Sequence, residues 1–371
     1  MNYIVDKKLI SEVFGKDILN NSDCIELSNQ IWLTTGKRIS PTTLKRYFGI
    51  IKDRTFIGKS SIDIIKEYVD NNKSVDKVSK TEIQIIKDFY LIEVTNINDY
   101  NYQKACGNIA KRIFSNENLL LHLRGFLSKN NSAQIYFFER FPMIDMLSNE
   151  NYLKSLRAYA YSKKTSEAFI YYNSLRVFSA FLQQNEDLLK DAFQKLNKLQ
   201  INNSFHPFIQ ARFIASHLLY YFMVKDDKNL IKWKSIAFDA ELKIARGNSP
   251  LAYFPMYQYI LIDTFNLLED YESSYELIKI CEFDYKFNYA SPIEPGYYES
   301  LDLMKAFCLF KLGYIKEAKR IFKRISLNNL LFTHKKYFMI FHEILQREFG
   351  LKKSNLDCLI AETNFLYFRF F

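Results

Sequence analysis

Ten glycines and seven prolines are all the backbone punctuation in this chain of 371 residues. Average usage of about 7% and about 5% would supply roughly 26 and 19. Sandwiches and barrels need a turn about every 8–12 residues, and phosphate-cradling loops need glycine where backbone approaches ligand. So little glycine argues against both, and against a Rossmann or P-loop enzyme. Long helices with short connections fit, and 33 Phe and 26 Tyr give them a core to bury. The expected fold class is all-α: a small helix-turn-helix domain followed by an α-solenoid of helix pairs.

The net charge of +10 says little as a total, because AT-rich coding by itself enriches Lys, Asn, Ile, Phe and Tyr. Its placement says more. From Gly36 to Lys59 stand Lys37, Arg38, Lys45, Arg46, Lys52, Arg54 and Lys59 against Asp53 alone, a local charge of +6.

The same stretch carries a helix, turn, helix pattern. Ile25, Leu27, Ile31 and Leu33 make a helix that begins after Ser22 or Asp23 as N-cap. Gly36 ends it, and Ile39 packs the turn inward. Ser40 caps a second helix with Pro41 at its first position. Leu44 and Phe48 form its buried face, which leaves Thr42, Thr43, Lys45, Arg46 and Tyr47 for other faces. A short basic helix after a tight turn is the arrangement that DNA-binding proteins lay in the major groove. The candidate DNA-contacting residues are therefore Lys37, Arg38, Ser40, Thr42, Thr43, Lys45, Arg46, Lys52 and Arg54. The competing reading is a docking module with a solvated basic face.

Residues Ile39 to Arg46 resemble the start of repressor recognition helices. With Gly49 and Ser60 to Tyr68, the segment from about residue 20 to 70 resembles an N-terminal module of Bacteroidetes proteins that often precedes helical repeats. The resemblance implies a DNA-binding fold more firmly than it implies a role.

From Thr81, which the spacing makes a helix cap, helix follows helix. The domain boundary is expected between Asn71 and Lys80, where Asn71, Asn72, Lys73 and Ser74 form a polar linker, dividing residues 1–78 from 79–371. Leu301, Met304, Ala306 and Leu309 give one helix, Leu312-Gly313-Tyr314 a turn, and Glu317, Ala318, Phe322 and Ile325 a second helix. This resembles the tetratricopeptide pattern, in which a small residue lets two helices approach closely. Residues 267–278 repeat the rhythm without the small residues. Further pairs are expected to begin near Thr165, Pro207, Leu251, Tyr297 and Thr333. Such an array buries each face on its neighbour and leaves a concave surface for a peptide or protein. Clusters such as Tyr171-Tyr172, Tyr220-Tyr221-Phe222 and Tyr297-Tyr298 are expected in packing. The run of rings from Phe365 to Phe371 is expected to be buried, either in a homodimer interface or at the end of the array.

Motifs of catalysis are missing. Gly58-Lys59 lacks the glycine of a Walker loop, His342-Glu343 lacks the second histidine of a zinc helix, and no nucleophile elbow occurs. His122, His206, His217, His334 and His342 are scattered; His122 and His217, on apolar helices, are expected in the core. Cys24, Cys106, Cys281, Cys308 and Cys358 form no Cys-x-x-Cys pair and fit a reducing compartment. The expectation is a cytoplasmic, non-enzymatic protein with no metal, cofactor or membrane span. It would be a transcriptional regulator that binds double-stranded DNA through its head and a peptide or protein through its repeats. An interaction scaffold with a basic docking head, possible in a defence or mobile-element system, is the alternative.

Overall fold

A computed structural model describes residues 7–14, 17–35, 37–51, 57–73, 79–92, 100–246, 256–285, 295–351 and 355–370. Among them every regular element is a helix, so the chain is all-α. It divides into two compact units, Met1–Lys80 and Thr81–Phe371.

The first unit holds α1 (Lys7–Phe14), α2 (Asn21–Thr35), α3 (Pro41–Phe48) and α4 (Lys59–Lys73). Helix α2 packs on α3 and α4, and α1 on α4. Their shared core is built from Ile10, Cys24, Leu27, Ile31, Leu44, Ile65 and Tyr68. Helix α2 starts on a reciprocal cap. Asn20 Oδ1 accepts the Asp23 N–H at 3.0 Å, and Asp23 Oδ2 accepts the N–H groups of Leu19 and Asn20. The cap is thus Asn20, not Ser22 or Asp23. Ile25 is exposed rather than on the buried stripe, which runs through Cys24, Leu27 and Ile31. Asn71, Asn72 and Lys73 are not linker but the last turn of α4, and residues 74–78 lie outside the described residues.

The second unit opens with α5 (Lys80–Leu91), one residue before the expected Thr81 cap. Then come α6 (Tyr100–Phe114), α7 (Glu117–Lys129), α8 (Asn131–Ala133), which runs on into a π-helical turn over Gln134–Glu139, and α9 (Glu150–Lys163). Five helix pairs follow. They are α10 (Ser166–Leu182) with α11 (Glu186–Leu196), α12 (Pro207–Met223) with α13 (Asp227–Arg246), and α14 (Met256–Leu267) with α15 (Tyr271–Tyr285). The last two are α16 (Pro295–Lys311) with α17 (Ile315–Phe322) and α18 (Lys335–Glu348) with α19 (Leu356–Thr363). Each first helix packs on the next first helix. Four of the expected pair starts fall within two residues of a helix start; the fifth, Leu251, lies outside the described residues.

All five pairs turn in the same way. Gln184, Lys225, Glu269, Gly313 and Gly350 follow the first helices with φ of 54°, 57°, 58°, 86° and 67°. At each, the N–H of that residue and of the next return to carbonyls of the last helical turn, as in Gly313 N to Phe310 O and Tyr314 N to Leu309 O. This is the Schellman arrangement, recurring about 40 residues apart, as helical repeats do. Only two of the five positions are glycine, so the repeat is regular in backbone and degenerate in sequence. Asn185, Asp226 and Asp270, each next in line, accept a backbone N–H three residues on and start the second helix.

Three of the first helices, α10, α12 and α14, have almost no polar face. Every residue from Tyr257 to Leu267 of α14 is buried, and ten successive residues of α12, Gln210 to Leu219, are too. A helix apolar all round must be covered all round. The row therefore turns back on itself, and α18 reaches α10, where the rings of Tyr337 and Phe178 meet at 5.8 Å. Asp145, in the 3-10 turn Ile144–Met146, supplies the missing cap of α18 from 190 residues away in sequence: its carboxylate accepts the Lys336 and Tyr337 N–H groups at 2.8 and 2.9 Å. The C-terminal 3-10 turn Leu366–Phe370 fills what remains. Phe365 and Phe368 are fully buried, Tyr367 stacks near Phe181 at 4.7 Å, and its hydroxyl donates to the Leu267 carbonyl. Two expectations change. Among the described residues the inner sides of these helices pack mostly on the chain itself, and no peptide-sized groove is seen there. The aromatic tail packs into its own unit; of its described rings only Phe370 is largely exposed, at 80%, so the buried rings of Phe365, Tyr367 and Phe368 do not argue for a homodimer interface. His217 is buried as expected, but His122 is exposed on α7.

Two stability outcomes follow from these contacts. Ala318 has no exposed surface; Ala318→Leu is expected to lower stability by about 1–3 kcal/mol through overpacking, read from a urea unfolding midpoint. Lys225 is exposed in a left-handed conformation; Lys225→Gly is expected to raise the same midpoint, by up to about 1 kcal/mol, because glycine adopts that φ without a Cβ penalty.

Candidate nucleic-acid interface

Helix α3 is eight residues long and is shaped by its two ends. Ser40 sits in extended conformation, and its hydroxyl accepts the Thr43 N–H at 3.0 Å; the two hydroxyls are 2.8 Å apart. Pro41 occupies the first helical position, where no N–H is needed. Gly49, with φ of 79°, ends the helix, and the Ile50 N–H returns to the Lys45 carbonyl at 2.9 Å. The Ser28 hydroxyl donates to the Ile39 carbonyl, fastening the turn to α2. Ile39 itself is buried.

Burial on α3 falls on Leu44 and Tyr47, not on Leu44 and Phe48 as the spacing suggested; Phe48 is only partly covered. Tyr47 is large enough to reach the core while its ring edge meets Phe48 at 5.3 Å. The outward side carries Thr42 and Arg46, one turn apart and both exposed, with Lys45 beside them at intermediate exposure.

The nine candidate residues separate into three groups. Thr42, Lys45 and Arg46 share the outward side of α3. Ser40 and Thr43 spend their hydroxyls on the helix cap, so their part is to hold the helix start. Lys37 and Arg38 flank it in the turn: Lys37 Nζ pairs with Glu67 Oε2 at 2.8 Å, and the Arg38 guanidinium lies over the Trp32 ring at 4.9 Å. Lys52 and Arg54 lie outside the described residues, as does Gly36.

Trp32, Glu67 and Asn20 were not singled out by sequence. Trp32 stands four residues before Gly36, and an exposed tryptophan at a helix end beside a basic turn is a readable signal. The Lys37–Glu67 pair joins residues 30 apart and leaves no sequence trace. An exposed pair of this kind is worth at most about 1 kcal/mol and yields readily to another anion.

Chemically, this side presents donors and cations to an anion and no nucleophile or acid–base pair. Among the described residues no group of three or more His, Cys, Asp or Glu is placed to hold a metal ion, and no helix is long and apolar enough to cross a membrane. Compared with known proteins, the chain matches no family model, no curated protein and no solved structure.

Proposed function

We propose that the protein is a DNA-binding transcriptional regulator, with Met1–Lys80 as a helix-turn-helix domain and Thr81–Phe371 as a tetratricopeptide-like α-solenoid. The observation that carries this reading is the short capped helix α3, which buries Leu44 and Tyr47 and turns Thr42, Lys45 and Arg46 outward. A second support is the +6 charge between Gly36 and Lys59. Side chains early in such a helix reach base edges in the major groove, and flanking bases hold phosphates. In this reading Thr42 and Lys45 face bases, Arg46 faces base or phosphate, and Lys37 and Arg38 grip the backbone on either side of the turn. Lys37 leaves Glu67 for a phosphate, a near-neutral exchange of one exposed ion pair for another. Ser40 and Thr43 keep the N-terminus of α3 in place.

The test is duplex DNA binding by the full chain, followed by fluorescence anisotropy across a salt series. The wild type is expected to bind more weakly as salt rises, linearly on a log–log plot. The double variant Lys45→Ala, Arg46→Ala is expected to bind more weakly still and to lose about 0.9 units of slope for each phosphate contact removed. A double variant that keeps the wild-type helicity, affinity and slope removes α3 from the contact surface. No binding by the wild type even at about 50 mM salt leaves the basic head as a docking module.

A further inference from the structure

Helices α12 and α14 are almost wholly apolar, yet among their buried residues each has one Arg, Lys, Asp or Glu: Arg212 and Asp263. Both are buried, at 8% and 7% exposure. Arg212 is held between two rings, 5.3 Å from the centre of Phe178 and 5.4 Å from that of Phe208. Its guanidinium makes no hydrogen bond or ion pair with any described residue, and Nε is sealed from solvent without a partner. Asp263 accepts the Tyr337 hydroxyl at 2.7 Å. His334 is also buried; its Nδ1 lies 3.0 Å from the Thr333 hydroxyl, and its Nε2 has no partner. With Nδ1 accepting from Thr333, Nε2 is a donor.

These groups line one cavity. Its walls come from the first helices of all five pairs, with Phe178, Phe208, Tyr259, Tyr297, Tyr337 and Phe338 around the polar groups. The centre of a water-sized sphere moves freely through about 30 Å³ of it, where one water needs roughly 10–15 Å³. Native interiors rarely leave buried donors unmet, and a buried guanidinium with none of its hydrogen bonds is costly.

We propose that this cavity is a binding site for a small monocarboxylate, held by the guanidinium of Arg212 with Nε2 of His334 as a second donor. A planar carboxylate matches the fork of an arginine in two parallel hydrogen bonds. The site offers one cation, which suits a monoanion rather than a phosphate dianion. The aromatic walls suit a short apolar substituent, and the small space excludes a peptide. A ligand here touches every helix pair at once, so binding stabilises the closed arrangement of the whole unit. The proposal does not depend on DNA binding by the head.

Asp263 sets the pH response. Burial pushes its carboxyl up to about 7, against the lowering pull of the Tyr337 hydrogen bond and Arg212. The groups facing it are Arg212 of α12, Tyr337 of α18 and Tyr259 of its own helix. Burial pushes His334 down to about 3, so it stays neutral throughout. Ionised Asp263 competes with the ligand for Arg212, and protonation removes the competitor. Affinity therefore falls as pH rises through 7.

The experiment uses the full chain with sodium formate, acetate and propionate at constant ionic strength, balanced with chloride. Thermal midpoints and calorimetric titrations are read at pH 6 and pH 8. At pH 6 at least one carboxylate is expected to raise the midpoint saturably, sulfate, a dianion at both pH values, is not, and affinity is expected to drop about tenfold by pH 8. Arg212→Met replaces a buried charge with an apolar chain of similar length, a change that cores tolerate; it is expected to abolish binding. Asp263→Asn is expected to bind with no pH dependence. The proposal fails if no carboxylate binds the wild type, which means a cavity filled by water alone. It fails equally if sulfate binds as well, if wild-type affinity is the same at both pH values, or if folded Arg212→Met binds unchanged.

Discussion

The first helices α10, α12 and α14 of the second unit have to be covered on almost every side, and the rest of that unit follows from how the chain meets this demand. A helix with one polar face can line an open curve. Helices such as α14, buried from Tyr257 to Leu267, cannot. The row closes until Tyr337 of α18 meets Phe178 of α10, Asp145 caps α18 from the other end of the row, and the tail rings of Phe365, Tyr367 and Phe368 plug the remaining space. An unmet apolar face costs about 25 cal/mol per Å², far more than the few hydrogen bonds that position the tail.

Closure has a chemical consequence. Packing by rings leaves little that can hydrogen-bond, so the one arginine on α12 has aromatic faces above and below it and no bonded acceptor. The interior therefore offers one cation in a small aromatic cavity rather than a long contact surface. A peptide groove would need the opposite arrangement, with polar first helices and an open inner face.

The first unit works by a different economy of interactions. Its core is small, and α3 has only eight residues, too few to be stable alone. Its ends do the work that length does elsewhere: the Ser40 cap, Pro41 at the first position and the left-handed Gly49. Both ends are fixed by local bonds rather than by side chains of the outward side. Thr42, Lys45 and Arg46 stand on that side, whereas Ser40 and Thr43 belong to the frame.

Local chemistry was readable in the residues themselves. Few glycines and prolines meant helices, Ser40-Pro41 marked the start of α3, and Thr165, Pro207 and Gly313 marked the start or end of helices in the array, because caps and turns depend on residues a few positions apart. What depends on distant residues was not. Lys37 finds Glu67, Asp145 finds the start of α18, and the tail rings find α10 and α14 only once the chain is folded. The left-handed turns at Gln184, Lys225 and Glu269 carry no glycine to announce them, since packing of the flanking helices imposes a φ that the residue alone would avoid. Arg212 and Asp263 were not singled out by sequence, and only tertiary packing brought them to one cavity, because five separate helices contribute its walls.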